Sequence, residues 1–141
     1  MNAKEYLLQV RKLEHLISIK KEEIQRLRLT LGYKTVRYDI ERVSGGKPVS
    51  ASETIARIVD YETELEKDVQ RYIETKSEVL KTVDKLSDER YISVLYKRYF
   101  EFKRFEEISV DMNYHYRWVL KLHGKALLEV NKILQKQETG H

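Results

Sequence analysis

The first 31 residues carry apolar side chains at alternating spacings of four and three. The positions are Tyr6, Val10, Leu13, Ile17, Ile24, Leu27 and Leu31, and only the polar Lys20 interrupts them. Two apolar positions in every seven residues form one stripe along an α-helix, as in a coiled-coil seam. We therefore predict a helix over residues 3–31 that ends at Gly32, because glycine is common just past a helix C-terminus.

Residues 32–51 lose this rhythm and contain Gly45, Gly46 and Pro48. Glycine and proline interrupt regular structure, so the segment is predicted to be a loop. A loop of this length is uncommon in compact domains, which favours a mobile or partner-binding segment. Weak alternation over residues 34–43 leaves a short strand as an alternative.

The stripe then resumes in a second helix. A capping-box pattern at Ser50, Ala51, Ser52 and Glu53 predicts the start of this helix. Its stripe comprises Ile55, Ile58, Leu65, Val69, Tyr72, Val79, Val83 and Leu86, with Glu62 and Lys76 as its polar members. The spacings alternate between three and four without a slip, so one long amphipathic helix is predicted.

The two long helices carry opposite net charges. Seven basic and four acidic residues give residues 1–31 a charge of +3, and six basic and nine acidic residues give residues 52–87 a charge of −3. These charges favour an antiparallel helical hairpin over residues 1–86, closed by the 32–51 loop. A two-helix pair buries only a narrow stripe. Further packing against a second copy, which would make a homodimer, or against the C-terminal unit is therefore expected.

Residues 87–141 have the layout of a helix-turn-helix unit. Ser87 is a candidate N-cap, and Tyr91, Val94, Leu95 and Tyr99 mark a supporting helix. Ile108 and Met112 lie one turn apart on a short helix, and Asn113 follows as a residue that tolerates the left-handed conformation of a tight turn. A final helix from His115 to about Gln137 carries the stripe Val119, Leu122, Ala126, Leu127, Val130 and Leu134. In DNA-binding proteins the second helix of such a pair enters the major groove.

A family resemblance rests on several short runs of this segment. They are Leu95-Tyr96-Lys97-Arg98-Tyr99-Phe100, Glu106-Glu107-Ile108, Asn113-Tyr114, Trp118-Val119 and Lys125-Ala126-Leu127. Over residues 88–129 they resemble region 4 of bacterial sigma factors. The tyrosine-rich turn and the Leu-His-Gly-Lys-Ala-Leu ending are more similar to phage-encoded late-gene activators of the ArpU/RinA type. The resemblance implies an all-α transcription regulator that binds double-stranded DNA and acts with host RNA polymerase.

The candidate DNA-binding residues lie mainly on the final helix. The set is Arg104, His115, Tyr116, Arg117, Leu120, Lys121 and Lys125. In sigma region 4 the positions that match Tyr116, Arg117, Leu120 and Lys121 contact promoter base edges, and the resemblance assigns phosphate contact to Lys125. The family usually has Arg-Glu and Arg-Gln at the first four positions, so sequence preference is not carried over. Arg104 precedes the short helix, where a phosphate contact is expected.

Two residues of the final helix leave alternatives open. Trp118 precedes Val119 and lies one turn before Leu122, which favours a core anchor over a base contact. Gly124 lies inside the helix, where glycine costs about 1 kcal/mol relative to alanine. It therefore indicates close approach of another backbone, either from DNA or from the supporting helix.

Composition narrows the function classes. The chain has no cysteine, a net charge of +4 over 141 residues and no long apolar run, so we expect a cytoplasmic protein without a membrane span. His115 and His123 are eight residues apart with no third ligand in view, and no glycine-rich phosphate loop occurs. We expect no enzyme activity, cofactor or metal. The rival to a DNA-binding regulator is a coiled-coil adaptor that binds polymerase or a sigma factor and does not contact DNA.

Overall fold

The computed structural model describes the backbone of residues 1–41 and 49–139, and the side chains of residues 1–32 and 51–139. The described residues form five α-helices. They are α1 (Ala3–Glu41), α2 (Val49–Val83), α3 (Glu89–Tyr99), α4 (Phe105–Met112) and α5 (Tyr116–Thr139). All regular structure in these ranges is helical, which confirms the predicted all-α class.

The predicted loop over residues 32–51 is wrong at both ends. Helix α1 continues through Gly32 to Glu41, which also excludes the strand alternative over that stretch, and α2 begins at Val49, one residue before Ser50. Gly32 does not take a left-handed conformation, and a helix tolerates an interior glycine at a cost of about 1 kcal/mol. The rest of the predicted mobile or partner-binding loop, residues 42–48, lies outside the described residues.

One compact unit, Glu14–Arg71, consists of the facing parts of α1 and α2. Lys20 forms ion pairs with Asp68 and Glu64, and Arg28 forms one with Glu62. These ion pairs link basic residues of α1 to acidic residues of α2 within this unit. Lys20 interrupts the apolar stripe because it meets these carboxylates.

The stripe of α2 departs from the prediction near its start. Ile55 is 49% exposed, whereas Thr54 is only 5% exposed and Ile58 is buried. One residue corresponds to a rotation of about 100° around the helix. Thr54, one turn before Ile58, therefore takes the buried position that the prediction gave to Ile55, while Ile58 is buried as predicted.

The second compact unit joins Met1–Leu13 to Tyr72–His141. Its main apolar cluster takes Tyr6, Leu7 and Val10 from α1, Val79 and Val83 from α2, Leu95 and Tyr99 from α3, and Ala126 and Val130 from α5. Tyr6 and Thr82 share a hydrogen bond of 2.9 Å between their hydroxyl groups. This division differs from the predicted boundary between residues 86 and 87, because the first turns of α1 and the end of α2 pack into the core of α3 and α5.

Helices α3, α4 and α5 share a second cluster, called here the inter-helix cluster: Val94, Ile108, Val119 and Leu122. All four side chains are fully buried. The N-cap of α3 is Asp88, whose carboxylate accepts a hydrogen bond of 2.9 Å from the Arg90 backbone N–H. The predicted cap at Ser87 is therefore wrong by one residue, since the carboxylate of Asp88 occupies the capping position.

Candidate nucleic-acid interface

A three-residue turn, Asn113, Tyr114 and His115, connects α4 to α5. Asn113 has φ 56° and ψ 44°, the left-handed conformation that the sequence predicts there. Its backbone N–H donates to the Val110 carbonyl at 3.2 Å, and the Tyr114 N–H donates to the Ser109 carbonyl at 3.0 Å. The turn therefore caps the C-terminus of α4, and asparagine tolerates its backbone geometry.

His115 helps to begin α5. Its Nδ1 atom accepts a hydrogen bond of 3.3 Å from the Arg117 backbone N–H, and its carbonyl accepts one of 2.9 Å from the Trp118 N–H. The first N–H groups of a helix lack partners within the helix, so this side chain acts as a cap. The structure thus gives His115 a positioning role that the sequence did not indicate.

Helix α5 has two distinct faces. Its inner face is the fully buried row Val119, Leu122, Ala126 and Val130. Its outer face, as the term is used below, is the exposed set Tyr116, Arg117, Leu120, Lys121 and Lys125. The inner row therefore matches the predicted apolar stripe. The predicted candidate residues of the helix are all at the surface, and their contact with DNA stays a prediction.

Two cations of the outer face, Arg117 and Lys121, have no acidic partner among the described residues. The sequence has no acidic residue between Asp111 and Glu129. Within the described part of the chain, no carboxylate forms an ion pair with Arg117 or Lys121. These two cations are therefore free to meet an anionic partner.

Trp118 lies at the edge of this face. It is half-buried and packs against the inter-helix cluster, which confirms the core anchor. The ammonium of Lys125 lies 5.2 Å from the centroid of its indole ring, and the guanidinium of Arg90 lies 5.9 Å from it. Cation–π contact of this kind holds Lys125 against the helix surface without neutralising its charge.

Arg104 differs from the other candidates because its charge is already paired. It is the N-cap residue of α4, and its Nε donates to the Glu107 carboxylate at 3.0 Å. This hydrogen bond lowers the pKa of Glu107, which therefore remains ionised near neutral pH. The negative charge of Glu107 beside the guanidinium would weaken the expected phosphate contact, so Arg104 is the weakest of the cationic candidates.

His123, which the sequence analysis considered only as a metal ligand, has a structural role. Its Nε2 atom and the Tyr99 hydroxyl lie 2.7 Å apart in a hydrogen bond, and the edge of its ring packs against Phe105. Burial, together with the positive charges of Arg98 and Lys4, lowers the pKa of His123 from 6.5 to about 4. The neutral imidazole therefore joins α5 to α3 and α4, a contact that no local pattern reveals.

The depressed pKa of His123 predicts a pH-dependent stability. Below pH 6.5 the unfolded chain binds a proton at this position, while the folded chain resists it until about pH 4. The free energy of unfolding is therefore expected to fall between pH 7 and pH 5, by about 1 kcal/mol once partial exposure of the ring is allowed for. Urea denaturation at each pH measures it.

The His123→Gln variant is the matched control, since glutamine does not titrate. The decrease in the free energy of unfolding that His123 causes between pH 7 and pH 5 should be absent in this variant. An equal decline in wild type and variant between pH 7 and pH 5 would show that other groups cause it.

Gly124 lies on the exposed side of α5. A Cβ atom built on it would have no heavy atom within 4 Å, apart from its own helix backbone and chain neighbours. The supporting helix therefore does not approach Gly124, which removes one of the two predicted explanations. The other explanation, close approach by DNA, stays a prediction.

The remaining sequence expectations concern metals and membranes. No group of three or more His, Cys, Asp or Glu side chains that could hold a metal ion occurs among the described residues. In the same ranges, none of the helices has the length and apolar character needed to cross a bilayer. Comparisons of this chain with protein-family models, curated proteins and solved structures gave no match.

Proposed function

We propose that this protein is a sequence-specific, double-stranded DNA-binding transcription regulator. Helices α4 and α5 would form its helix-turn-helix, α3 would support them, and α5 would enter the major groove. The resemblance to phage late-gene activators suggests that the regulator acts with host RNA polymerase. The paired parts of α1 and α2 would form an antiparallel hairpin for dimerisation or docking.

The observation that carries the proposal is the contrast between the two faces of α5. The inner row is fully buried, whereas the outer face combines exposed Tyr116 and Leu120 with cations, of which Arg117 and Lys121 have no ion pair among the described residues. Phosphates attract the cations, and side chains that project from one helix face can contact base edges. The left-handed turn at Asn113 supports the same assignment, because it fixes how α5 leaves α4.

Individual side chains of the outer face suit different contacts. Arg117 can donate two hydrogen bonds to one guanine, Lys121 can reach a guanine or a phosphate, and Leu120 can contact a thymine methyl group. Lys125 is assigned to phosphate. Gly124 would allow the backbone of α5 to come close to the duplex, since no described residue occupies that space.

Selection from a random duplex library by the full chain tests the proposal. We expect enrichment of one sequence that is bound more tightly than a scrambled duplex. The logarithm of its binding constant should fall linearly with the logarithm of the salt concentration. Fluorescence anisotropy between 50 mM and 200 mM salt measures both properties. Failure to enrich any sequence, with no duplex binding at 50 mM salt, would contradict the proposal.

A coiled-coil adaptor is the second candidate, because exposed apolar side chains interrupt the charged surface of α5. Leu128 is 62% exposed, and Leu120 and Tyr116 are exposed beside the cations. Such a surface suits a protein partner with an acidic rim, such as polymerase or a sigma factor. The same selection separates the two candidates, since an adaptor of this kind would enrich no DNA sequence.

A further inference from the structure

The cationic surface of α5 extends beyond the residues considered so far. Lys132 and Lys136 are exposed in its second half, as Arg117, Lys121 and Lys125 are in its first half. At about 100° per residue, these five positions fall within a sector roughly 100° wide. We call this set of five residues the basic stripe.

Nothing acidic lies between the two ends of this sector. The other residues inside it are uncharged: half-buried Trp118 at one edge, and the exposed Leu128, Gln135 and Thr139. Glu129 lies just outside the sector and is half-buried. A solvated helix face usually alternates charges of both signs to gain ion pairs between neighbouring turns. A single-sign row instead repels itself, so an anionic partner would relieve it.

The other side of α5 is occupied in this second half. The Asn131 side chain accepts a hydrogen bond of 2.7 Å from the Ala3 backbone N–H, and Leu134 packs against the main cluster. The first residues of α1 therefore cover the side away from Lys132 and Lys136. Both lysines remain directed to solvent on a helix that its own core holds in place.

The length of the stripe indicates which part of DNA its second half would meet. From Arg117 to Lys136 the axial rise is about 28 Å at 1.5 Å per residue. In a helix-turn-helix the N-terminal residues of the recognition helix contact the base edges, so the later turns of a straight helix of this length leave the curved groove at its edge. The phosphates of the duplex line that edge.

On this geometry, and resting on the proposed function, we propose that Lys132 and Lys136 form a second, sequence-independent phosphate-binding segment of the same helix. The first half of α5 contacts bases, and the second half anchors the helix to the backbone beyond the groove. The segment raises the affinity for every duplex by the same factor. It therefore leaves the ratio of the affinities for two different sequences unchanged.

The test compares the Lys132→Ala/Lys136→Ala variant with wild type on a 30-base-pair duplex of arbitrary sequence. Each phosphate contact contributes about 0.9 to the slope of log affinity against log salt, so the slope should fall by about 2. At 100 mM salt the affinity should drop at least about 10-fold. The Lys67→Ala/Lys81→Ala variant removes two exposed lysines of α2 and the same charge, and it should change neither quantity.

The outcomes separate this inference from the proposed function. An unchanged slope in the Lys132→Ala/Lys136→Ala variant, with binding lost in Arg117→Ala/Lys121→Ala, would overturn the second segment alone. Absence of duplex binding by wild type at 50 mM salt would overturn both. Equal losses of affinity and of salt slope in this variant and in the α2 control would also contradict the second segment, since both losses would then reflect only the change in net charge. Circular dichroism and thermal unfolding verify that each variant is folded.

Discussion

The Arg117→Ala/Lys121→Ala variant is expected to lose at least about 30-fold in affinity for a selected duplex, because two well-placed base contacts of about 1–3 kcal/mol each contribute at least about 2 kcal/mol. Both side chains are exposed on α5 and have no ion pair within the described part of the chain. Their removal should therefore leave the core intact. Anisotropy with the selected and a scrambled duplex measures the loss, which should be larger for the selected sequence.

The Arg71→Ala/Lys67→Ala variant matches this change closely. Arg71 and Lys67 are exposed on α2, and they have the same chemistry and the same spacing of four residues. We expect it to bind the selected duplex as wild type does. If the α5 variant retained full affinity at wild-type helicity, the outer face would not be the surface that reads DNA.

The second large effect concerns the attachment of α4. This helix has eight residues, and Ile108 is the one among them that is buried. Its side chain contacts α3 and α5 through the inter-helix cluster. Ile108→Ala should therefore lower the free energy of unfolding by about 2–5 kcal/mol, the usual range when a buried isoleucine is cut back to alanine. Urea denaturation measures this loss.

Val110 provides the matched control on the same helix. It is 79% exposed, so Val110→Ala should change the free energy of unfolding by no more than about 0.5 kcal/mol. Comparable losses for the two variants would mean that α4 presents a different face to its neighbours. A small loss for Ile108→Ala alone would mean that the inter-helix cluster does not hold the three helices together.

The local parts of the fold could be predicted from the sequence. The bounds of α5 differ from the prediction by one residue at the start and two at the end, and Asn113 has the predicted left-handed conformation. These features depend on neighbouring residues: an apolar repeat, a short helix and a residue that tolerates the turn. For the same reason, the inner row of α5 was predicted correctly.

The errors arise where distant contacts decide the structure. Gly32 does not end α1, and Ile55 is exposed while Thr54 is buried. Glycine is only a weak interruption of a helix. Heptad spacing also does not determine which side chain at a helix end is buried. That depends on the side chains that pack against it.

The candidate site also has features that the sequence predicts and features that it does not. The exposed positions on α5 follow from helical periodicity, whereas three roles required the folded chain. Arg104 is paired with Glu107, His115 caps α5, and His123 bonds to Tyr99. The first two contacts join residues only two or three positions apart. Their spacing alone does not predict which side-chain hydrogen bonds form. His123 meets a tyrosine 24 positions away, for which the sequence offered no signal.

The central claim is that the outer face of α5 lies against duplex DNA, and crosslinking from position 120 tests it most directly. A photoreactive amino acid would replace Leu120 in one protein and Val59, an exposed apolar residue of α2, in another. Each protein would be irradiated with the selected duplex. A covalent protein–DNA product from position 120 and none from position 59 is the predicted result. Equal DNA crosslinking from both positions, or none from position 120 under saturating binding, would contradict the account.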